Sequence, residues 1–385
     1  MSEGKILIVS GCKYPEGDAG SVRIHALAKL FESCGKQSVV IGKGKKTTAD
    51  RNCYDGVEYF SFRKNDQGLF GKIKDRFGYE FLLDDYLQAH GREYSHILIV
   101  DVPFRAIRKT IKFAQKNEIQ LLHDSLEWYS PSEFKLGVLD PMYRHRDQLN
   151  RKIINQDFKV IVISKYLENY FAGKGCRTIR IPAILTTNTK RKAHPITDKR
   201  IITYAGLPEK KDKLVEILDA FADLPLDEKN SLELRIIGIT LEQLQKKFKL
   251  SDEKVKRYKN GILFYGRVSR DEVLRKLDET HFTIFYRDAT ERYAKAGFPT
   301  KVAESTSKGI PVITNHSSDL ADYLIDGVNS IVISDEVTGI KDAFKKACTI
   351  SNEQYENLAN AARNTYRDSF CFDVYTDAMN DFLEQ

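Results

Sequence analysis

The stretch YAKAGFPTKVAESTSKGIPVI, Tyr293 to Ile313, decides how the chain is read. A Gly-Phe-Pro turn precedes a helix that carries Lys301 in its first turn and Glu304 one turn later, and Gly-Ile-Pro closes that helix into a strand. A helix N-terminus presents backbone N–H groups and the positive end of its dipole. A glycine-bearing turn at that point is expected to receive an anion such as phosphate.

On either side, short β-branched runs alternate with helical periods. Before the quoted stretch come RIITYAG (200–206), LELRIIGI (232–239), GILFYG (261–266) and HFTIFYR (281–287), with Leu214, Ile217, Leu218 and Phe221 on one helical face. The first half has the same grammar: KILIVS (5–10), SVVIG (38–42), SHILIVD (95–101), IQLLHD (119–124), KVIVIS (159–164) and TIRIP (178–182) read as strands. Ile24, Leu27, Ala28 and Phe31 supply one helix face between the first two. The pattern is βαβ, so the fold class is α/β with two doubly wound, Rossmann-like parallel sheets. The expected boundaries are 1–185, a polar linker at 186–199, 200–365, and a C-terminal helical piece at 366–385 that packs back on the first domain. Ligands bind at the carboxyl ends of such strands, so two facing domains would form a cleft.

Composition agrees with two cores: 385 residues, 42% hydrophobic and 30% charged. No window approaches a membrane span, and MSEGKILIVS moves into a strand without the marks of a signal peptide, so a cytoplasmic protein is expected. Six scattered cysteines have neither a disulfide pattern nor metal spacing. The net charge of +7 is uneven, with 30 basic against 22 acidic residues in 1–185 and 31 against 32 thereafter. Either the first half meets an anionic membrane or a phosphorylated acceptor, or it carries a solvated basic face. Nucleic acid is not expected as a partner. The segment 63–83 interleaves Lys72, Lys74 and Arg76 with Phe70, Ile73 and Phe77, as a loop over an acceptor or one that dips into an anionic membrane surface would.

Three strand-end loops have phosphate-friendly composition. In GCKYPEGDAGSVRIH (11–25), Gly17 and Gly20 precede a helix expected from Ser21, with Arg23 in its first turn. In YAGLPEKKDKL (204–214), Gly206 ends a strand and Lys210 and Lys211 sit at a helix N-terminus, where the dipole disfavours cations unless an anion lies between. Lysines solvated beside Glu209 and Asp212 are the alternative. In the third loop Arg287, Arg292, Lys295 and Lys301 surround one turn, and Glu304 could accept two hydrogen bonds from a ribose diol. An i, i+3 pair of Glu304 with Lys301 is the alternative there.

These residues resemble glycosyltransferase family 4 (group 1), whose fold is GT-B, over nearly the whole chain. AGFPTKVAESTSKGIPVI is similar to the family's EGFGLPLLEAMACGxPVI; SSDLADYLIDGVNSIVI (317–333) falls where the family has a helix, a turn and a short strand. KVIVISKYLENYF (159–171) is similar to the family's viavS strand and the helix after it, and IRIPAI (179–184) resembles the entry to its hinge. The resemblance implies that Glu304 binds the donor ribose, Gly297 and Phe298 belong to the diphosphate and sugar loop, Gly20 matches the opposite glycine loop, and Lys211 the diphosphate lysine. His123 or Asp124 would approach the transferred sugar, although a merely packed His123 stays open. Ala296 stands where the family has a first glutamate, and Leu207 where it has an arginine; Arg287, Arg292, Lys295 and Lys301 could replace the lost charge.

The implied function is retaining transfer from a nucleotide-diphosphate sugar to a glycan or lipid-linked acceptor, of the bacterial surface-polysaccharide type, with no cofactor or metal. Ala296 and Leu207 favour the alternative of a catalytically silent relative, whereas Glu304, Lys211 and the glycine turn favour an enzyme. A dinucleotide oxidoreductase is disfavoured, because no strand is followed by Gly-x-Gly-x-x-Gly.

Overall fold

The computed structural model describes residues 4–384 except 16, 18, 45–47, 65–68 and 187–194. The chain divides into two compact units, Met1–Thr186 with Cys371–Gln385, and Thr187–Phe370.

The first unit is built on an eight-stranded sheet: β1 (Lys5–Lys13), β2 (Ser38–Gly44), β3 (Thr48–Tyr54), β4 (Val57–Lys64), β5 (Tyr94–Val100), β6 (Gln120–Ser125), β7 (Phe158–Val162) and β8 (Arg177–Arg180). Their order is β3-β4-β2-β1-β5-β6-β7-β8, parallel except for the β3/β4 pair. Ile6, Leu7, Ile8 and Val9 are all fully buried, as a central strand covered on both faces requires. The expected face of the first helix, Ala19–Ser33, packs there through Ile24, Leu27, Ala28 and Phe31. Missing from the sequence reading is the β3–β4 hairpin, whose signal is Asp55-Gly56. Both turn residues have positive φ, +48° and +82°, as a two-residue turn of this hand needs.

Segment 63–83 differs from the expected loop. Its first two residues end β4 and from Leu69 it runs as a helix to His90, while residues 65–68 and the side chains of 63–64 and 69–78 lie outside the described residues. The linker reading of 186–199 falls largely on 187–194, also outside them. Ile181 and Ile184, just before it, are core residues of the first unit.

The second unit has a six-stranded, wholly parallel sheet: β9 (Arg200–Ala205), β10 (Leu232–Ile237), β11 (Ile262–Gly266), β12 (Phe282–Ile284), β13 (Val312–Thr314) and β14 (Ser330–Val332), in the order β11-β10-β9-β12-β13-β14. The run expected at 281–287 pairs only at 282–284, so Arg287 stands beyond the strand. Where a helix was expected after Ser317, there is a single 3-10 turn, Leu320–Asp322.

The long helix Asn352–Ser369 stays with the second unit; the chain rejoins the first at Cys371, later than the expected boundary at 366. The last helix, Thr376–Glu384, then buries Met379, Phe382 and Leu383 in the first unit's core. Each such side chain contributes about 1.5–3 kcal/mol. The helix's terminal carbonyls are held by cations, with Lys159 Nζ donating to Leu383 O at 2.8 Å and Arg177 Nη2 to Asp381 O at 2.8 Å. The returning segment carries four carboxylates and no cation. The first unit therefore holds 30 basic against 26 acidic residues, or +4, and the second 31 against 28, or +3. The basic excess of the first half is thus halved within its own unit, from +8 to +4.

Candidate active site

At the carboxyl end of the second sheet, the ends of β9 and β12 and the start of the helix Thr300–Ser307 bring charged groups together. Gly206 directly follows β9 with φ +145°; a Cβ there would stand 3.1 Å from Lys301 Cε and 3.2 Å from its Nζ, so the glycine lets Lys301 lie across the strand end. Gly238, after β10, has φ +119°, and a Cβ on it would run into the Gly206 carbonyl oxygen. Only glycine fits this approach of two strand ends.

Asp212 lies at the centre of the group and is only 4% exposed. Its Oδ2 accepts from the Tyr204 hydroxyl at 3.1 Å and the Glu209 N–H at 3.3 Å. Its Oδ1 faces Lys301 Nζ at 3.6 Å and Arg287 Nε at 3.9 Å. Burial alone would raise this carboxyl, but Lys301, Arg287, the Glu209 N–H and Lys211 hold it below the usual carboxylate range. The Lys301 amine also lies 4.2 Å from the Tyr204 ring centroid. Burial of that amine, abetted by Arg287, pulls Lys301 down to about 8 against the opposing pull of Asp212 and Glu304.

Arg287 is clamped by Asn315, which accepts from its backbone N–H at 3.2 Å and donates to its carbonyl at 2.7 Å. The buried Arg287 Nε makes no hydrogen bond among the described residues. Glu304 is partly buried, and its carboxylate accepts no hydrogen bond among them. Burial raises its pKa, against Arg270 and Lys301. Thus two cations and a raised carboxylate flank one turn, with hydrogen-bonding capacity unspent.

The other expected residues of this unit are placed differently. Phe298 is 5% exposed and packs edge-on to Tyr323 and against Phe370, so its ring belongs to the core and its contribution is to fix the turn. Gly297 has φ −92°, an extended conformation open to any residue. Arg292 and Lys295 lie in a short helix, Arg292–Ala296, and Lys295 is exposed. Lys211 is in the 3-10 turn Lys210–Asp212, and the side chain of Lys210 lies outside the described residues. Ala296 is fully buried and Leu207 exposed.

In the first unit Arg23 and Asp124 are each other's partners. Arg23 Nη2 and Nε meet the carboxylate at 2.9 and 3.0 Å, and the guanidinium also donates to the carbonyls of Pro182 and Ile181. Both residues are 3% exposed. This buried pair ties the first helix to β6 and to the segment after β8, instead of offering either group to a ligand. His123 donates from Nδ1 to the Ile99 carbonyl at 3.1 Å; a carbonyl only accepts, so the proton is on Nδ1 and Nε2 is the acceptor. Burial lowers its pKa and keeps the ring neutral. Gly20 lies within the first turn of Ala19–Ser33, not before it, and Glu16 and Asp18 are outside the described residues.

Sequence reasoning gave no site role to Asp212, Tyr204, Asn315 or Gly238. The Glu209–Asp212 spacing, in which the Asp212 side chain accepts from the Glu209 N–H, was a usable capping signal for the first. A glycine inside a strand-like run was the signal for the last. Among the described residues, no helix is long and apolar enough to cross a membrane, and no group of three His, Cys, Asp or Glu could hold a metal ion.

Residues 186–365 match the family model described as glycosyl transferases group 1. No curated protein sequence matches the chain significantly. Among solved structures, the chain is similar to Anabaena Alr3699/HepE, solved in complex with UDP and glucose, at 15% identity and TM-score 0.68 over 99% of both chains. It is also similar to sucrose-phosphate synthase from Thermosynechococcus elongatus, at 14% identity and TM-score 0.71 over 98% of both. A third is a glycosyltransferase from Rickettsia africae, at 10% identity and TM-score 0.65 over 99% of this chain and 98% of that one. At such identities the likeness is one of fold, and that fold is GT-B.

Proposed function

We propose, from the match of residues 186–365 to the group 1 glycosyl transferase model, that the chain is a transferase that moves a hexosyl group from a nucleotide-diphosphate sugar to a glycan or lipid-linked acceptor. The donor lies at the carboxyl end of the second sheet. Breaking the anomeric bond leaves negative charge on the departing diphosphate, and Arg287, Lys301 and Lys211 with the N-terminus of Thr300–Ser307 stabilise it. Glu304 accepts the ribose diol. The sugar keeps its anomeric configuration, and the product enters bacterial surface polysaccharide. The observation that carries this reading is the convergence of Arg287 and Lys301 with a buried Arg287 Nε that has no hydrogen-bond partner among the described residues.

A thermal-shift screen of UDP, GDP, ADP, CMP and dTDP tests it, since ligand at 100 times its Kd stabilises a fold by about 2.7 kcal/mol. One nucleoside diphosphate should raise Tm, Arg287→Gln should abolish the shift, and Glu304→Ala should reduce it for the nucleotide but not for pyrophosphate. A shift indifferent to both substitutions would put the nucleotide elsewhere. Fully buried Ala296 favours one second reading, a donor-binding relative without turnover; binding without release of nucleoside diphosphate from any sugar donor would select it.

The proposed location is cytoplasmic, at the inner face of the plasma membrane. Leu136, Val138, Leu139 and Met142 of the first unit are each 58–64% exposed within seven residues, beside Lys135 and Arg144, which suits an anionic bilayer surface. Co-sedimentation with anionic vesicles should fall for Leu136→Ser/Leu139→Ser; unchanged binding would reject this contact.

A further inference from the structure

Asp212 is oddly placed for a diphosphate site: a carboxylate fixed among the cations that a diphosphate would need. We propose that Asp212 is a built-in counter-ion that competes with the diphosphate for Lys301 and Arg287, and so loosens the enzyme's hold on its nucleotide product. The proposal rests on the donor-site reading above.

The geometry separates what fixes Asp212 from what it neutralises. Its hydrogen bonds come from neutral donors, the Tyr204 hydroxyl and the Glu209 N–H. The carboxylate is therefore held whether or not the cations stay beside it. Lys301 and Arg287 stand at 3.6 and 3.9 Å, beyond the 2.7–2.9 Å or so of a closed charge-assisted bond. Their N–H groups can be taken by another anion without Asp212 moving. A pyrophosphate against those two cations would then lie a few ångströms from a fixed negative charge, in a setting that screens poorly.

The same carboxylate has an opposite action in the empty site. It helps to keep Lys301 protonated, against burial and Arg287. Charged groups facing that amine are Asp212, Arg287 and Glu304, and Tyr204 packs against it. Removing the carboxylate should thus strengthen anion binding where Lys301 is protonated in any case, and make that binding fail at lower pH. A residue that merely supported the turn would weaken binding at every pH when replaced.

The test is calorimetric titration of the full-length chain with inorganic pyrophosphate and with UDP and GDP. Near pH 6.5, Asp212→Asn should bind pyrophosphate about tenfold tighter than wild type, the scale of one like charge removed at short range. The gain should shrink by about pH 8.5, where loss of Lys301's proton sets in first in the variant. Asp212→Glu should restore wild-type binding. Asp212→Ser gives the same reading if asparagine does not fold. Charge-removing variants that melt like wild type yet bind no tighter near pH 6.5 would overturn the proposal while leaving the donor site in place. If wild type binds neither pyrophosphate nor a nucleoside diphosphate, or Arg287→Gln binds as wild type does, the donor-site reading fails and takes this proposal with it.

Discussion

Asp124 and Phe298 illustrate how one residue type supports two roles that only the third dimension separates. Asp124 lies near the end of β6, where a ligand-binding acid belongs, but Arg23, 101 residues away in sequence, takes both of its oxygens. Breaking a buried ion pair by removing one partner costs about 3–5 kcal/mol. Asp124→Ala should therefore lower stability by that order in denaturant titration; full stability with activity lost would return the residue to the chemistry. Such a pairing is illegible in sequence, because neither residue's neighbours announce the other. Phe298 was legible only in part for a related reason: the turn could be read from Gly-Phe-Pro, but not that its ring points into the core. Glu304 and Lys301 were legible as a pair one turn apart; Asp212 was not, because an acid near a helix start reads as an ordinary complement to the dipole.

Among elements, strands with continuous β-branched runs were legible, since burial on both faces leaves no polar alternation to confuse the period. The β3–β4 hairpin was not, because THR-ALA-ASP-ARG-ASN-CYS-TYR (48–54) is mostly polar and forms an edge strand whose identity depends on pairing with β4. The strand ends carry the site's geometry, and here the decisive approach is between Gly206 and Gly238. Gly238→Ala should strain the backbone by about 1–3 kcal/mol and push β9's end against Lys301. The expected outcome is a lower Tm together with weaker nucleotide binding. Normal binding in Gly238→Ala would mean that the two strand ends are not coupled to the site.

Across the whole molecule, the division into two α/β units followed from the repeated βαβ grammar, whereas the charge distribution did not: half of the first half's excess is met by the four carboxylates that return at the C-terminus. Beside that return, the His96 pKa is pulled down to about 4 by burial and by Lys159; elsewhere in the same unit His123 is also lowered by burial. Both would titrate near 6.5 when unfolded. The unfolded chain then binds more protons below that value, so this contribution to stability is complete above about pH 6.5 and is lost as pH falls toward 4. His96→Asn should flatten the acid limb of Tm against pH relative to wild type. Identical limbs would show that His96 does not stay neutral in the folded unit.

The returning helix also fixes how the polypeptide can be divided. Cutting after Thr186 would not release a finished body, because Met379, Phe382 and Leu383 would be left on the other fragment and their apolar seat uncovered. A peptide of residues 371–385 added in trans should bind fragment 1–186 and restore its cooperative melting, whereas a circular permutant joining 385 to 1 through a short tether and opening at 186/187 would keep both bodies contiguous in sequence.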